Sequence, residues 1–105
     1  MDKREIQTLM RRLFYGDIDQ SDGWQHLIRD GELSQELFEV LLNRYVSSES
    51  VLVYQNAQQA VHCLKAEAFV HVAEFLKSGP VRIADPRLQS KILINPIGVG
   101  VGSRL

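Results

Sequence analysis

The stretch that decides the fold is residues 51–77, VLVYQNAQQAVHCLKAEAFVHVAEFLK. Its apolar residues recur at intervals of 4, 3, 4, 4 and 3, which places them on one side of a helix: Ala57, Val61, Leu64, Ala68, Val72 and Phe75. Lys77 and Gly79 follow, a basic last turn and a glycine of the kind that ends many helices. We therefore expect one long helix that forms the centre of the fold.

The start of this helix has two interpretations. Residues 51–54 (VLVY) follow a serine-rich segment, so they are either the first turn of the helix or a separate short strand, with Asn56 capping the helix that follows. The sequence leaves both open, and we favour the helix.

The rest of the chain is expected to add three helices before this one and strands after it. Apolar stripes predict helices over residues 3–15, 22–30 and 34–45, the second capped by Ser21 or Asp22 and stopped by Gly31. Alternating residues 81–84 and 91–95 flank the turn at Asp85 and Pro86. The predicted fold class is α+β and mostly α, with four helices followed by a C-terminal β-hairpin or small antiparallel sheet.

Length and composition predict a single globular domain over residues 1–105. The chain is 45% hydrophobic and 24% charged, which is ordinary for a soluble domain with one core. At its end, residues 97–102 alternate apolar side chains with glycine. We expect residues 97–105 to form either a flexible tail or an edge strand with one face of bare backbone.

Location follows from what the sequence does not contain. The charged start MDKRE precedes no apolar run of signal-peptide length, and no stretch is apolar over the 18 or so residues needed to span a bilayer. Cys63 is the only cysteine, so no internal disulfide can form. These features predict a cytoplasmic protein without a membrane partner.

Negative charge is concentrated between residues 17 and 39. This segment has one basic residue, Arg29, and seven acidic ones: Asp17, Asp19, Asp22, Asp30, Glu32, Glu36 and Glu39. The local charge is −6, although the whole chain carries only −1. Such a surface repels nucleic acid and anionic membranes and attracts basic proteins.

No complete catalytic, metal or cofactor motif is present. Residues 17–28 begin like a calcium loop, but the expected glycine is Asp22 and the expected bidentate acid is Ile28. On a helix, Cys63 and His71 would be about 12 Å apart, too far for a thiolate–imidazole pair. The glycines at the C-terminus lack the following helix of a phosphate-binding loop. We therefore expect no enzyme activity, no cofactor and no metal.

The C-terminal segment is basic and supports two alternative functions. Residues 77–104 carry five basic side chains against the single acid Asp85: Lys77, Arg82, Arg87, Lys91 and Arg104. A nucleic-acid-associated regulatory module could use this hairpin, although the acidic half opposes phosphate and stacking aromatics are lacking. A self-associating adaptor could use the glycine-faced strand, which leaves a homo-oligomer open.

The favoured hypothesis is a small stoichiometric protein-binding module. Its most concrete form is an inhibitor or immunity protein that neutralises a basic partner, such as a nuclease toxin, by covering the cationic site that binds phosphate. Aromatic anchors dominate many such interfaces. The predicted contact residues are six acids and two aromatics: Asp17, Asp19, Asp22, Asp30, Glu32, Glu36, Tyr15 and Trp24.

Overall fold

The computed structural model describes residues 1–16 and 18–105. In this part of the chain there are three α-helices, with a short 3₁₀ turn, Lys65–Glu67, before the third: α1 Lys3–Leu13, α2 Gln35–Tyr45 and α3 Ala68–Phe75. The eight strands are β1 Gln25–His26, β2 Ile28–Arg29, β3 Glu32–Leu33, β4 Ser50–Tyr54, β5 Ala60–Leu64, β6 Val81–Ala84, β7 Ser90–Asn95 and β8 Val99–Arg104.

Six of these strands form one antiparallel sheet in the order β1-β8-β7-β6-β4-β5. Strand β8 pairs with β7 along its whole length, and on its other side Gly100 and Val99 pair with β1. Strands β2 and β3 form a separate hairpin.

The sheet is covered by helices on both faces. Helices α2 and α3 pack on one face through their buried residues: Phe38, Leu41, Leu42, Tyr45, Ala68, Val72 and Phe75. Helix α1 covers the other face over β4 and β5, where Ile6 and Met10 are fully buried. The chain thus forms three layers, with the sheet in the middle.

Helix α1 is fixed at both ends. The Asp2 carboxylate accepts a hydrogen bond from the Glu5 N–H (2.9 Å), a bond that holds the pKa of Asp2 below its ordinary value. At the other end, the Lys91 ammonium donates to the Leu13 carbonyl (2.5 Å) and lies over the Phe14 ring. The ammonium of this buried lysine therefore connects the end of α1 to the sheet.

The glycine face of β8 lies beneath α2. A methyl group on Gly100 would stand 2.7 Å from Leu41 Cδ2, and one on Gly102 would stand 2.4 Å from the Tyr45 ring. The missing side chains let α2 approach the sheet closely.

The predicted fold class is wrong in its helix content. The chain contains an eight-stranded, largely antiparallel β structure with three α-helices in place of four helices and a terminal hairpin. The helices expected over residues 3–15 and 34–45 are present as α1 and α2, and the strands expected at 81–84 and 91–95 are β6 and β7.

The second predicted helix, residues 22–30, is absent. In its place β2 and β3 are joined by Asp30 and Gly31, whose φ angles are +55° and +80°. Two positive φ angles define the type I′ hairpin turn, for which Asp-Gly is a favoured pair. Gly31, which was expected to end a helix, is the second residue of this hairpin turn.

The prediction of one long helix over residues 51–77 is also wrong, because residues 51–54 belong to strand β4. Val51 and Val53 pack under α2 and α3, whereas Leu52 and Tyr54 pack under α1. A strand buried on both faces is apolar at every position, so it lacks the alternation that marks a strand. The helical part of the segment is limited to the 3₁₀ turn and α3.

Candidate functional site

The outward face of α2 carries a group of acidic and apolar side chains. Ser34 begins the helix by accepting a hydrogen bond from the Leu37 N–H (3.2 Å). Glu36, Glu39, Val40 and Asn43 then lie at helical spacings of three, four and seven, so they share one side. With Gln35 they line a shallow depression of about 510 Å³. Val40 is 65% exposed and supplies an apolar side chain among these polar ones.

A second depression continues the first. It measures about 460 Å³ and shares Glu39 and Asn43 with its neighbour. Its remaining lining includes Leu42, Glu49 and Leu64. We call the joined surface the acidic groove and define it by these residues: Glu36, Glu39, Val40, Asn43, Glu49 and Leu64.

The cation beside the acidic groove has an internal partner. Lys65 lines the second depression, but its ammonium donates a hydrogen bond to the Val46 carbonyl oxygen. Its charge is therefore fixed at the base of the groove. The carboxylates Glu39 and Glu49 form no ion pair among the described residues.

The β2–β3 hairpin places further acids near the first turn of α2. Asp30 lies in the hairpin turn and Glu32 lies in β3. Arg29 of the same hairpin donates to the Glu36 carboxylate at 3.0 Å. Both partners are exposed, so this ion pair contributes little stability, and Glu36 stays accessible.

Asp19 and Asp22 lie apart from the groove. Asp19 accepts hydrogen bonds from the backbone and hydroxyl of Ser21, which closes a turn. Asp22 accepts from the Tyr45 hydroxyl (2.7 Å) at the last residue of α2, about 15 Å along the axis from the first turn. The structure therefore does not bring these two predicted contact residues together with Glu36.

The negative charge of Asp22 is also partly offset by nearby basic side chains. Arg44 and Arg104 both stack on the Tyr45 ring, with guanidinium carbons 5.6 Å and 5.3 Å from its centre. Burial raises the pKa of Tyr45, and the hydrogen bond to Asp22 adds to this effect. Asp22 is best explained as part of the attachment of α2 to the loop before β1.

The three other predicted contact residues have different environments. Tyr15 is 90% exposed directly after α1. Trp24 is 38% exposed, and its indole N–H donates to the Gln20 side chain (3.0 Å). Asp17 lies outside the described residues.

The sequence-based prediction missed five of the six groove residues: Glu39, Val40, Asn43, Glu49 and Leu64. Glu39 was counted in the acidic segment but not among the contacts, Val40 was assigned to the apolar side of the helix, and Glu49 follows the segment. The signal was present for two of them, because Glu36, Glu39 and Val40 follow the i, i+3, i+4 pattern of one helix face.

Most basic side chains of the C-terminal half are engaged within the molecule. Lys77 pairs with Glu74 (3.0 Å), Arg82 lies over the Phe14 ring, and Arg104 donates to the Arg44 carbonyl (2.6 Å). Lys91 is buried against the end of α1. Of the five, Arg87 projects from the β6–β7 turn as an exposed side chain. Two of the five cations, Lys77 in its exposed ion pair and Arg87, are therefore accessible to phosphate.

The remaining reactive residues show no catalytic arrangement. Burial raises the pKa of the Cys63 thiol to about 11, and the negative charge of Glu67 adds to the effect. No group of three or more His, Cys, Asp or Glu side chains within residues 1–16 and 18–105 is placed to hold a metal ion. In the same residues no helix has the length and apolar character required to cross a bilayer.

Comparison with known proteins adds no relative. No protein-family model, curated protein or solved structure matches this chain.

Proposed function

We propose that this protein is a small stoichiometric inhibitor, of the immunity-protein type, that binds a basic protein partner through the acidic groove. A nuclease toxin is the most concrete partner, because its active site must present cations to phosphate. The observation that carries the proposal is the grouping of Glu36, Glu39 and Glu49 around exposed Val40 and Leu64. As proposed, the protein acts in the cytoplasm and is not an enzyme.

The composition of the groove fits a protein partner better than a small molecule. Both depressions are shallow, and their carboxylates stand beside apolar side chains that are 65% (Val40) and 56% (Leu64) exposed. Apolar residues give a protein interface its desolvated centre, and charged residues around them steer a partner of opposite charge.

The contact set proposed here differs from the one expected from sequence. Asp30, Glu32 and Glu36 remain on the side where α2 begins, and Glu39, Val40 and Glu49 join them. Asp19 and Asp22 leave the set, because they lie in the loop before β1, where Asp22 bonds to the last residue of α2 and not to its first turn.

The alternative of a nucleic-acid module has weaker support. Lys91 and Arg104 make internal contacts that binding to phosphate would have to break, whereas Lys77, in an exposed ion pair with Glu74, stays accessible. A filter-binding measurement at low salt would detect such a module, because contacts with phosphate give affinity that falls steeply as salt is added.

The proposal is tested by capturing partners from the source cells on the immobilised protein and then measuring affinity with a neutralised groove. The variant is Glu36→Gln, Glu39→Gln and Glu49→Gln, which adds three units of charge. We expect it to bind the captured partner at least about tenfold more weakly, since losing one member of a close charge pair costs about 2 kcal/mol or more.

A matched control separates the groove from overall charge. Substituting the exposed residues Ser47, Gln58 and Gln89 by lysine also adds three units of charge but leaves the groove intact. This control should keep the affinity of the wild type. If the partner is a nuclease, cleavage of a labelled nucleic acid should stop at one equivalent of inhibitor. Equal affinity of the wild type and the neutralised variant would show that the groove is not the interface.

A further inference from the structure

Strand β5 forms one edge of the sheet. The hydrogen bonds at its two ends show which of its residues bond to β4. The Gln55 N–H donates to the Gln59 carbonyl (2.8 Å), and the Lys65 N–H donates to the Glu49 carbonyl (2.8 Å). In an antiparallel pair, bonded and non-bonded positions alternate. The pairs Val53–Val61 and Val51–Cys63 are therefore the hydrogen-bonded pairs of β4 and β5.

The intervening residues of β5 direct their main-chain groups away from the sheet. These are Ala60, His62 and Leu64, which together present three N–H and three C=O groups along the edge. Five of these six groups take part in no hydrogen bond among the described residues outside the β4–β5 ladder, and the sixth, the Leu64 carbonyl, is the N-cap carbonyl of the 3₁₀ turn Lys65–Glu67.

This edge has none of the usual devices that prevent strand addition. Such edges are commonly protected by proline, by lysine, by a bulge or by being very short. Strand β5 (AVHCL) has five residues, and none of them is proline, aspartate, glutamate, lysine or arginine. Strand β1, at the opposite edge, has two residues.

We propose that β5 is a dimerisation edge that pairs antiparallel with β5 of a second copy of this chain, around a two-fold axis at His62. In this register His62 lies opposite His62 of the partner, and Ala60 lies opposite Leu64. The His62 and Leu64 N–H groups of each copy then donate to the His62 and Ala60 carbonyls of the other, which gives four hydrogen bonds across the interface.

The side chains suit an identical partner. Leu64 is 56% exposed and Ala60 is small and buried, so the register sets a large side chain of one copy beside a small one of the other. Lys65, the next residue, holds its ammonium at the Val46 carbonyl, and the N-terminal ammonium of Met1 lies 3.4 Å from His62 Nδ1, so this register places the two N-termini near the axis. A two-fold contact also closes on itself and leaves no free β5 edge for further growth.

The proposed dimer does not depend on the inhibitor hypothesis. The pairing uses main-chain groups of β5, whereas partner binding is assigned chiefly to carboxylates on α2 and to Glu49, and the two surfaces share the Leu64 side chain. A chain that dimerises without binding a basic protein, or the reverse, would separate the two.

The first measurement is the mass in solution by sedimentation equilibrium from micromolar to millimolar protein. We expect the mass to rise to twice that of one chain, and a single-chain mass over the whole range would overturn the proposal. The variant His62→Pro removes the central outward N–H but leaves the β4–β5 ladder intact. It should remain at the mass of one chain throughout, with the circular dichroism of the wild type.

The second measurement tests the register and does not rely on a weakened variant. In a Cys63→Ser background, His62→Cys should cross-link to its partner copy with a bifunctional thiol reagent whose spacer is about 5 Å, since directly opposite Cβ atoms are about that far apart. The control Leu64→Cys should not, because two residues 64 lie about 14 Å apart in this register. Cross-linking at 64 and not at 62 would overturn the assignment.

Hydrogen exchange supplies a readout within the wild type. On dilution to the single-chain state, the amides of His62 and Leu64 should exchange faster, whereas those of Val61 and Cys63 should stay protected by β4. Unchanged exchange at all four amides would argue against pairing of two copies through this edge.

Discussion

The ring of Tyr45 lies against the main chain of Gly102, so closely that a methyl group at residue 102 would stand 2.4 Å from two ring carbons. The hydroxyl of the same tyrosine donates to Asp22 (2.7 Å). One side chain therefore joins three segments: the end of α2, strand β8 and the loop before β1. This junction determines how closely the helix carrying the acidic groove sits on the sheet.

The variant Gly102→Ala should destabilise the protein by about 1–3 kcal/mol, the usual cost of forcing extra volume into a packed core. The Tyr45 ring cannot move away without breaking its hydrogen bond to Asp22. At Gly100 the nearest atom is the end of a flexible leucine, Leu41 Cδ2. Urea denaturation should therefore rank Gly100→Ala as the milder change, and the opposite ranking would contradict the packing described here.

Removal of the α2 cap should also be measurable. Ser34→Ala deletes the acceptor for the Leu37 N–H, and loss of such a cap costs about 1 kcal/mol. Ser47 is an exposed serine with no side-chain hydrogen bond among the described residues, so Ser47→Ala is the matched control. Ser34→Asp should keep most of the stability, since aspartate caps equally well. Equal denaturation midpoints for both alanine variants would show that the cap contributes nothing.

Stability should fall at alkaline pH through Tyr45. Burial raises the pKa of Tyr45, so the folded protein holds this proton more tightly than the unfolded chain. The contribution is complete below the ordinary tyrosine pKa of about 10, and it is lost as the pH rises from there to the higher pKa of the folded state. The urea midpoint of the wild type should fall more steeply above about pH 10 than that of Tyr45→Phe. Parallel pH profiles would exclude this group as the cause.

The Cys63 thiol should be unreactive in the folded protein. Burial raises its pKa to about 11, so almost no thiolate exists near neutral pH, and the side chain is scarcely exposed. We expect slow reaction with a chromogenic disulfide reagent in buffer and rapid reaction in denaturant. The variant Cys63→Ser with Gln58→Cys carries one exposed thiol and should react quickly without denaturant. Rapid native reaction at Cys63 would show that β5 opens readily.

Local sequence signals were sufficient where one face of an element is buried and the other is solvated. Helices α1 and α2 have such stripes, and Ser34 marks a helix start. The rule failed at β4, because the helix layers bury both of its faces and remove the alternation. The rhythm that predicted a long helix was partly coincidental, since Ala57 and Leu64 are exposed and Val61 belongs to β5.

The candidate site was predictable in part for a related reason. Negative charge is visible in a sequence, and the spacing of Glu36 and Glu39 shows that they share a helix face. Asp22 accepts a hydrogen bond from the hydroxyl of Tyr45, which is 23 residues away in the sequence, and this contact follows only from tertiary packing. So does the approach of Glu49, which precedes β4, to the side of α2.

The pairing of Gln25 with Gly100 also has a consequence for biosynthesis. Strand β1 is made before every other strand of the six-stranded sheet, but its neighbour β8 is made after all of them. Until residues 99–100 emerge, the nascent chain cannot close the sheet at this side, and β1 must wait without its partner strand. Chaperone binding during translation would protect that interval, and a ribosome that stalls before β8 would release a chain unable to complete its sheet.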